Sequence, residues 1–237
     1  MSGPKFIDNL DGNTLAAAVA RILQDGLPNE THGVGEASAR PGHLDVASAF
    51  FSPSGFAQIA DDLADVARIR LMVGAEPPKE ARPPRRQPGE TQQQFERRLL
   101  REGLHDLDEG LREERDRFPF SRSGRHALRK LIDVMKSGRM ETRRYERAFM
   151  HAKAYIFAPR PEVYGGGAGV IAGSSNLTRA GVTKNLELNL GSYNDPIVRQ
   201  AQDWYERLWN DAVPCDLTEL LEEVFAPWTP FEIFLRT

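Results

Sequence analysis

The sequence holds a single cysteine, Cys215. One thiol excludes an internal disulfide framework and suits a reducing compartment, so the expected location is the cytoplasm. No stretch approaches the roughly 20 apolar residues that a membrane-spanning helix needs, and the amino terminus, "MSGPKFIDNL", has no apolar signal core. A membrane partner is therefore not expected. Positive charge is not in excess either, since 31 lysines and arginines face 34 aspartates and glutamates for a net charge of -3. No overall basic field draws polyanions to such a chain, and an anionic partner has to be met by local clusters of arginine. Four of the five histidines, His32, His43, His105 and His126, show no metal-ligand spacing with cysteine or carboxylates. "YGGGAGVIAGSS" is rich in glycine but lacks the GK[ST] ending of a phosphate loop and leads into a strand. Neither a metal nor a cofactor is expected.

What is present is an ordinary globular composition, 40% apolar and 27% charged over 237 residues. "GNTLAAAVARILQDG" predicts an amphipathic helix with Leu15, Val19, Ile22 and Leu23 inward, Asn13 as N-cap and Gly26 as stop. "HLDVASAFF" reads as a strand. After the turn "SPSG", "FAQIADDLADVA" reads as a helix with Phe56, Ile59, Leu63 and Val66 inward, and "RIRLMVG" as a second strand. Strand, helix, strand at this spacing implies a right-handed crossover and parallel pairing. From Glu76 to Pro88 five prolines and several arginines exclude regular structure. The charged segment beyond has Phe95, Leu99, Leu100, Leu104 and Leu107 at helical spacing, and predicts a surface-lying helical insertion broken near Gly103 or Gly110. "GRHALRKLIDVMKSG" is a further amphipathic helix burying Leu128, Leu131, Ile132 and Met135. Four candidate strands follow, "METRRYE", "HAKAYIFA", "AGVIAGSS" and "LELNLGSY", then a helix containing "IVRQAQDWYERLW". No internal repeat is visible. The fold class expected is α/β, with one mixed β-sheet flanked by helices.

Chemistry concentrates between residues 151 and 189. In a strand alternating from His151, the side chains of His151, Lys153 and Tyr155 project to one face and those of Ala152, Ala154 and Ile156 to the other. "GSSN" closes the next strand, with Ser174 and Asn176 at its turn, and "KNLELN" opens another that carries Glu187. A neutral imidazole can attack phosphorus and form a phosphoramidate when an acceptor such as a carboxylate holds its other nitrogen. Lysine and asparagine can hold nonbridging oxygens as charge builds. The bland account of each residue alone is a solvated strand position or a turn asparagine. Arg143, Arg144 and Arg147 lead directly into His151 and form a candidate track for backbone phosphates.

"HAK" followed by "GSSNLTRAGVTKNLELN" resembles the HxK…GSxN…E signature of the phospholipase D superfamily, on its nuclease side. The likeness is to metal-independent restriction endonucleases and, above all, to the domain at the amino end of bacterial Swi/Snf-type helicases. "LDVASAFFSPSGFAQIADDL", "SGRMETRRYERAFMHAKAYIF" and "WYERLWNDA" resemble that domain in the same order, so the resemblance covers most of 1–237. It is weakest over the linker and insertion at about 76–120. It implies a phospholipase D-like fold with His151 as nucleophile and Lys153 and Asn176 as phosphate ligands. Ser174 becomes an auxiliary donor, and Glu187 the carboxylate that orients the histidine. It also implies DNA as substrate, a metal-independent reaction through a phosphohistidine, and a helicase motor in cis or in trans. Two departures follow. The fuller motif has an aspartate where this chain has Ala158, which points to a catalytically silent DNA-binding module as the alternative. The family's site uses two motif copies and this chain has one, so an active form is expected to be a homodimer with a shared site.

Overall fold

The computed structural model describes residues 3–27, 40–75, 84–116, 122–159 and 167–223. The start of the proline-arginine linker, residues 160–166 with the first glycines of "YGGGAG", and the carboxy-terminal tail lie outside the described residues. A two-residue strand, β1 (Phe6–Ile7), precedes helix α1 (Leu15–Asp25), which buries Leu15, Val19, Ile22 and Leu23 as expected. Its N-cap is Thr14 rather than Asn13. The Thr14 hydroxyl accepts the Ala17 N–H at 3.1 Å, while the Asn13 amide is engaged by the Phe6 carbonyl and Asp8. Gly26, at φ +84, ends the helix.

Strand β2 (His43–Ser48) pairs in parallel with β3 (Arg68–Val73), His43 opposite Arg68. Between them the helix expected over "FAQIADDLADVA" is replaced by a single helical turn, α2 (Pro53–Phe56), followed by successive tight turns. Phe56, Ile59, Leu63 and Val66 are all buried, yet beyond Ala57 the main-chain N–H groups bond three residues back, as in Ile59 to Phe56, Asp62 to Ile59 and Val66 to Leu63. The carbonyls of Leu63, Ala64 and Val66 also accept from the guanidinium of Arg139. Spacings of three and four bury the same residues in tight turns as in an α-helix, which is why the sequence pattern could not tell them apart.

Helix α3 (Gln92–Asp116) runs through both Gly103 and Gly110 without the expected break. A glycine in a helix interior costs about 1 kcal/mol against alanine, whereas each buried leucine stabilises by about 1.5–3 kcal/mol, and Leu107 and Leu111 both enter the core. Helix α4 (Arg122–Lys136) buries Leu128, Leu131, Ile132 and Met135. Then follow β4 (Met140–Arg144), β5 (Lys153–Ala158), β6 (Gly169–Gly173), α5 (Arg179–Thr183), β7 (Asn189–Ser192), α6 (Asp195–Asp211), β8 (Val213–Pro214) and α7 (Thr218–Glu222).

The strands form one mixed sheet in the order β1-β7-β6-β5-β2-β3-β4-β8, with β2, β3 and β4 parallel and the remaining pairs antiparallel. Alternation along the strands sends Val46, Leu71, Tyr155 and Phe157 into the core shared with α1, α4 and α7, and Ala47, Met72, Ala154 and Ile156 into the core under α6. Helix α6 is pinned by Arg70, which is 6% exposed. Arg70 donates twice to Asp45 at 2.6 Å, reaches Glu206 at 2.6 Å, and lies over the rings of Tyr205 and Trp209. The fold is therefore α/β, a mixed sheet flanked by helices. No helix among the described residues is long and apolar enough to cross a membrane.

Candidate active site

The carboxyl ends of β2 and β6 and the starts of β5 and β7 meet at one end of the sheet, the end at which open α/β sheets bind ligands. Register fixes the arrangement, since Ser48, the last residue of β2, stands opposite Lys153, the first of β5. His151 precedes the strand rather than opening it, and is exposed. What holds it is Lys153. The Lys153 ammonium is 2.9 Å from His151 Nδ1 and donates to the His151 carbonyl at 2.9 Å. Only 5% of Lys153 is exposed, so its chain is buried along the sheet end and its charge is delivered at the imidazole.

Across β6, the Ser174 hydroxyl donates to the Glu187 carboxylate and accepts the Leu188 N–H at 3.0 Å. Glu187 lies two residues ahead of β7, not within it. The Tyr155 hydroxyl is pushed well above its ordinary value by burial first and by the Glu187 charge second, and it donates to the Ser175 carbonyl at 3.2 Å. The turn carrying Ser174 and Asn176 is clamped by Asn189. Its side chain accepts the Ser175 N–H at 3.2 Å and donates to the Ser175 hydroxyl at 2.8 Å, both residues being buried.

Asn176 is the third corner. Its Oδ1 accepts the Phe50 N–H at 3.0 Å and lies 3.3 Å from the Ser48 hydroxyl. Five of the eight residues singled out in the sequence thus gather at one end of the sheet: His151, Lys153, Ser174, Asn176 and Glu187. Ser48, Phe50, Ser175 and Asn189, which hold them, were not singled out. Ser48 sits in a largely apolar strand, and its partners across the site, Asn176 and Leu177, are 128 and 129 positions away, so no local signal marks it.

The three arginines are placed differently. Arg143 and Arg144 ride on β4, three strands from β5 in the sheet order, or about 14 Å at the usual strand spacing. Arg143 is paired with Glu141 and lies over Trp209. Arg144 is paired with Asp108 and Glu146, and Arg147 with Asp211. Phosphates would have to displace carboxylates to use this track. Among the described residues one trio, His105, Asp106 and Glu109 on α3, has ligand atoms close enough to share a metal; all three are exposed and none belongs to the site.

The sequence profile described as "Cardiolipin synthase, PLD-like domain" matches residues 38–209, a span that runs from β2 into the last turn of α6 and takes in every candidate site residue. The chain belongs to the phospholipase D-like domain family. No curated protein matches it. Among solved structures it is similar to Nuc, a phospholipase D family member from Salmonella typhimurium (13% identity, TM-score 0.43, 84% of this chain and 89% of that one). It is also similar to NucT from Helicobacter pylori (14%, TM-score 0.38, 75% and 84%). A third likeness is to phosphatidylserine synthase from Haemophilus influenzae (14%, TM-score 0.49, 98% and 44%). Within this phospholipase D-like domain, Ala158 stands at the far end of β5 opposite His43, its carbonyl taken by the Gly42 N–H. It lies five positions on from Lys153, about 17 Å along a strand.

Proposed function

We propose that this phospholipase D-like domain is a metal-independent phosphodiesterase that cleaves DNA through a covalent phosphohistidine on His151, acting as a homodimer with a shared site. The observation that carries the reading is the imidazole-ammonium contact of His151 and Lys153 at 2.9 Å, formed at a sheet end that also gathers Asn176, Ser174 and Glu187. Attack requires a lone pair on Nε2 and the proton on Nδ1. At rest the Lys153 ammonium donates to Nδ1, which leaves the ring proton on Nε2. An incoming phosphate that draws the ammonium onto a nonbridging oxygen frees Nδ1 to take up that proton by exchange through solvent and to donate it to a carboxylate, the role assigned to Glu187. The Nε2 pair then forms the N–P bond as the P–O bond to the leaving strand breaks. The departing oxygen takes its proton from the partner's imidazole. Water attacks the phosphohistidine in the second half, loses its proton to that same imidazole, and releases His151.

The chain, over residues 1–237, is read as one such domain with an insertion at about 76–120. It works in the cytoplasm with a helicase motor in cis or in trans, in bacterial DNA processing or defence. The segments that resemble the amino-terminal domain of Swi/Snf-type helicases support that partnership. Ala158 favours the rival reading, a silent DNA-binding module. Its distance from Lys153 argues against it, because a residue at the other end of β5 touches none of the reacting groups.

The test is cleavage of single- and double-stranded DNA in EDTA by the full chain and by His151→Ala across a concentration series. Cleavage that is lost in the variant and rises faster than linearly where the dimer is still forming supports the shared site. Absence of cleavage in both, with salt-sensitive DNA binding intact, establishes the binding module instead.

A further inference from the structure

An asparagine serves an anion only if it offers its nitrogen, and the two ends of a carboxamide are alike in size. At Asn176 the surroundings decide. The atom facing Phe50 receives a main-chain N–H at 3.0 Å, and a main-chain N–H can only donate. That atom is the oxygen, so Nδ2 and its two hydrogens are turned the other way.

Phe50 is itself held. The Ser48 hydroxyl has one hydrogen, which it gives to the Phe50 carbonyl, and with a lone pair it accepts the Leu177 N–H at 2.9 Å. Ser48 is fully buried. The Ser52 N–H closes the loop onto the Leu177 carbonyl at 3.0 Å, and Phe51 bridges Leu177 in parallel. The segment after β2 is thereby zipped to the segment after β6. Ser48 is also the register partner of Lys153, so one buried hydroxyl sets the spacing between the ammonium and the carboxamide.

We propose that Ser48 and the Phe50 peptide are positioning residues, which turn Asn176 so that it presents N–H donors, and not its oxygen, to a phosphate held at His151 and Lys153. This rests on the reading of the site as one that binds phosphodiesters. Without the Ser48 hydroxyl, the buried Leu177 N–H and the Phe50 carbonyl lose a partner and the loop relaxes. Asn176 is then free to flip its oxygen toward the anion. The loss falls on charge stabilisation as the transition state forms, more than on ground-state binding of a long substrate.

The experiment uses the full chain and the variants Ser48→Ala, Ser48→Thr and Asn176→Asp. It reads amide exchange at Phe50, titration with inorganic phosphate by NMR, and kcat and KM for DNA in EDTA. In Ser48→Ala, Phe50 should exchange about tenfold faster, phosphate should bind about fivefold more weakly, and kcat should fall about 10- to 100-fold with KM within about twofold. Ser48→Thr, which keeps the hydroxyl, should recover most of this. Asn176→Asp should leave Phe50 protected, because an oxygen still faces it, and should abolish phosphate binding. A near-isosteric change on a half-buried side chain keeps this arm readable even where Ser48→Ala fails to fold. Two outcomes overturn the inference: Ser48→Ala that deprotects Phe50 while phosphate affinity and kcat stay within twofold, or Asn176→Asp that binds phosphate as the parent does. A parent chain that never cleaves DNA overturns the nuclease reading alone, and the phosphate and exchange arms then decide this one.

Discussion

Lys153 Nζ stands 2.9 Å from both the ring Nδ1 and the main-chain carbonyl of His151, so a buried lysine fixes where an exposed imidazole points. Both contacts come from one compact nitrogen with rotatable donors, which the rigid planar fork of a guanidinium cannot reproduce. Lys153→Met is therefore expected to lower single-turnover cleavage at least about 100-fold, and Lys153→Arg to recover little of it. Near-parental cleavage by Lys153→Arg would show that charge alone is required and that the clamp on His151 is incidental.

Glu187 and Ser174 form a hydrogen-bonded pair but serve unequal parts. Glu187→Gln keeps a partner for the serine and removes the charge, while Ser174→Ala keeps the charge and removes one neutral bond. The carboxylate variant should lose about 100-fold in single-turnover rate and the serine variant about tenfold. The reverse order would make Ser174, not Glu187, the group that tunes His151.

Arg70 ties α6 to the sheet through Asp45 and Glu206. Removing it strands Asp45, itself 8% exposed, as an uncompensated buried charge, which costs about 3–5 kcal/mol. For a chain of this size that lowers Tm by about 10 °C. Arg70→Met should show the drop in a thermal melt, and Arg70→Met with Asp45→Leu should recover a large part of it. A double variant no better than the single one would mean that the stacking of Arg70 on Tyr205 and Trp209 matters more than its charge.

The same cluster carries a pH signature. The Arg70 guanidinium, chiefly through its hydrogen bond and to a lesser degree through its charge, holds the Glu206 carboxyl below its ordinary value, with burial, second to the hydrogen bond, opposing. A depressed carboxyl contributes stability that is present above its unfolded value, near pH 4.3, and lost as pH falls through the folded one. The Tm gap between the parent and Glu206→Gln should thus be widest near neutrality and close below about pH 4. Because Glu206 is half exposed, the gap is expected to be a degree or two. A gap that widens on acidification would reverse the sign of this linkage.

Much of this was written locally in the chain. The inward faces of α1 and α4, the parallel pair β2 and β3, and the gathering of five site residues at one sheet end all follow from spacing and motif. What escaped was decided at a distance. Thr14 outranks Asn13 as a cap because Phe6 and Asp8 occupy the asparagine. The turns after α2 are shaped by Arg139, more than 70 residues on. α3 crosses two glycines because its leucines have a core to enter. Ser48 reads as strand filler until Asn176 and Leu177 arrive beside it.

That distance has a consequence for when the chain becomes capable of chemistry. β2 finds β5 only after α3, α4 and β4 have been made, and Ser48 and Asn176 meet across 128 positions. Contacts of such separation form late, since loop closure must precede them. A partly synthesised chain holds an imidazole without its carboxamide, and a partly unfolded one loses both at once. The site exists only where segments far apart in the sequence have paired, so any opening that parts β2 from β5 or from the segment after β6 takes it apart.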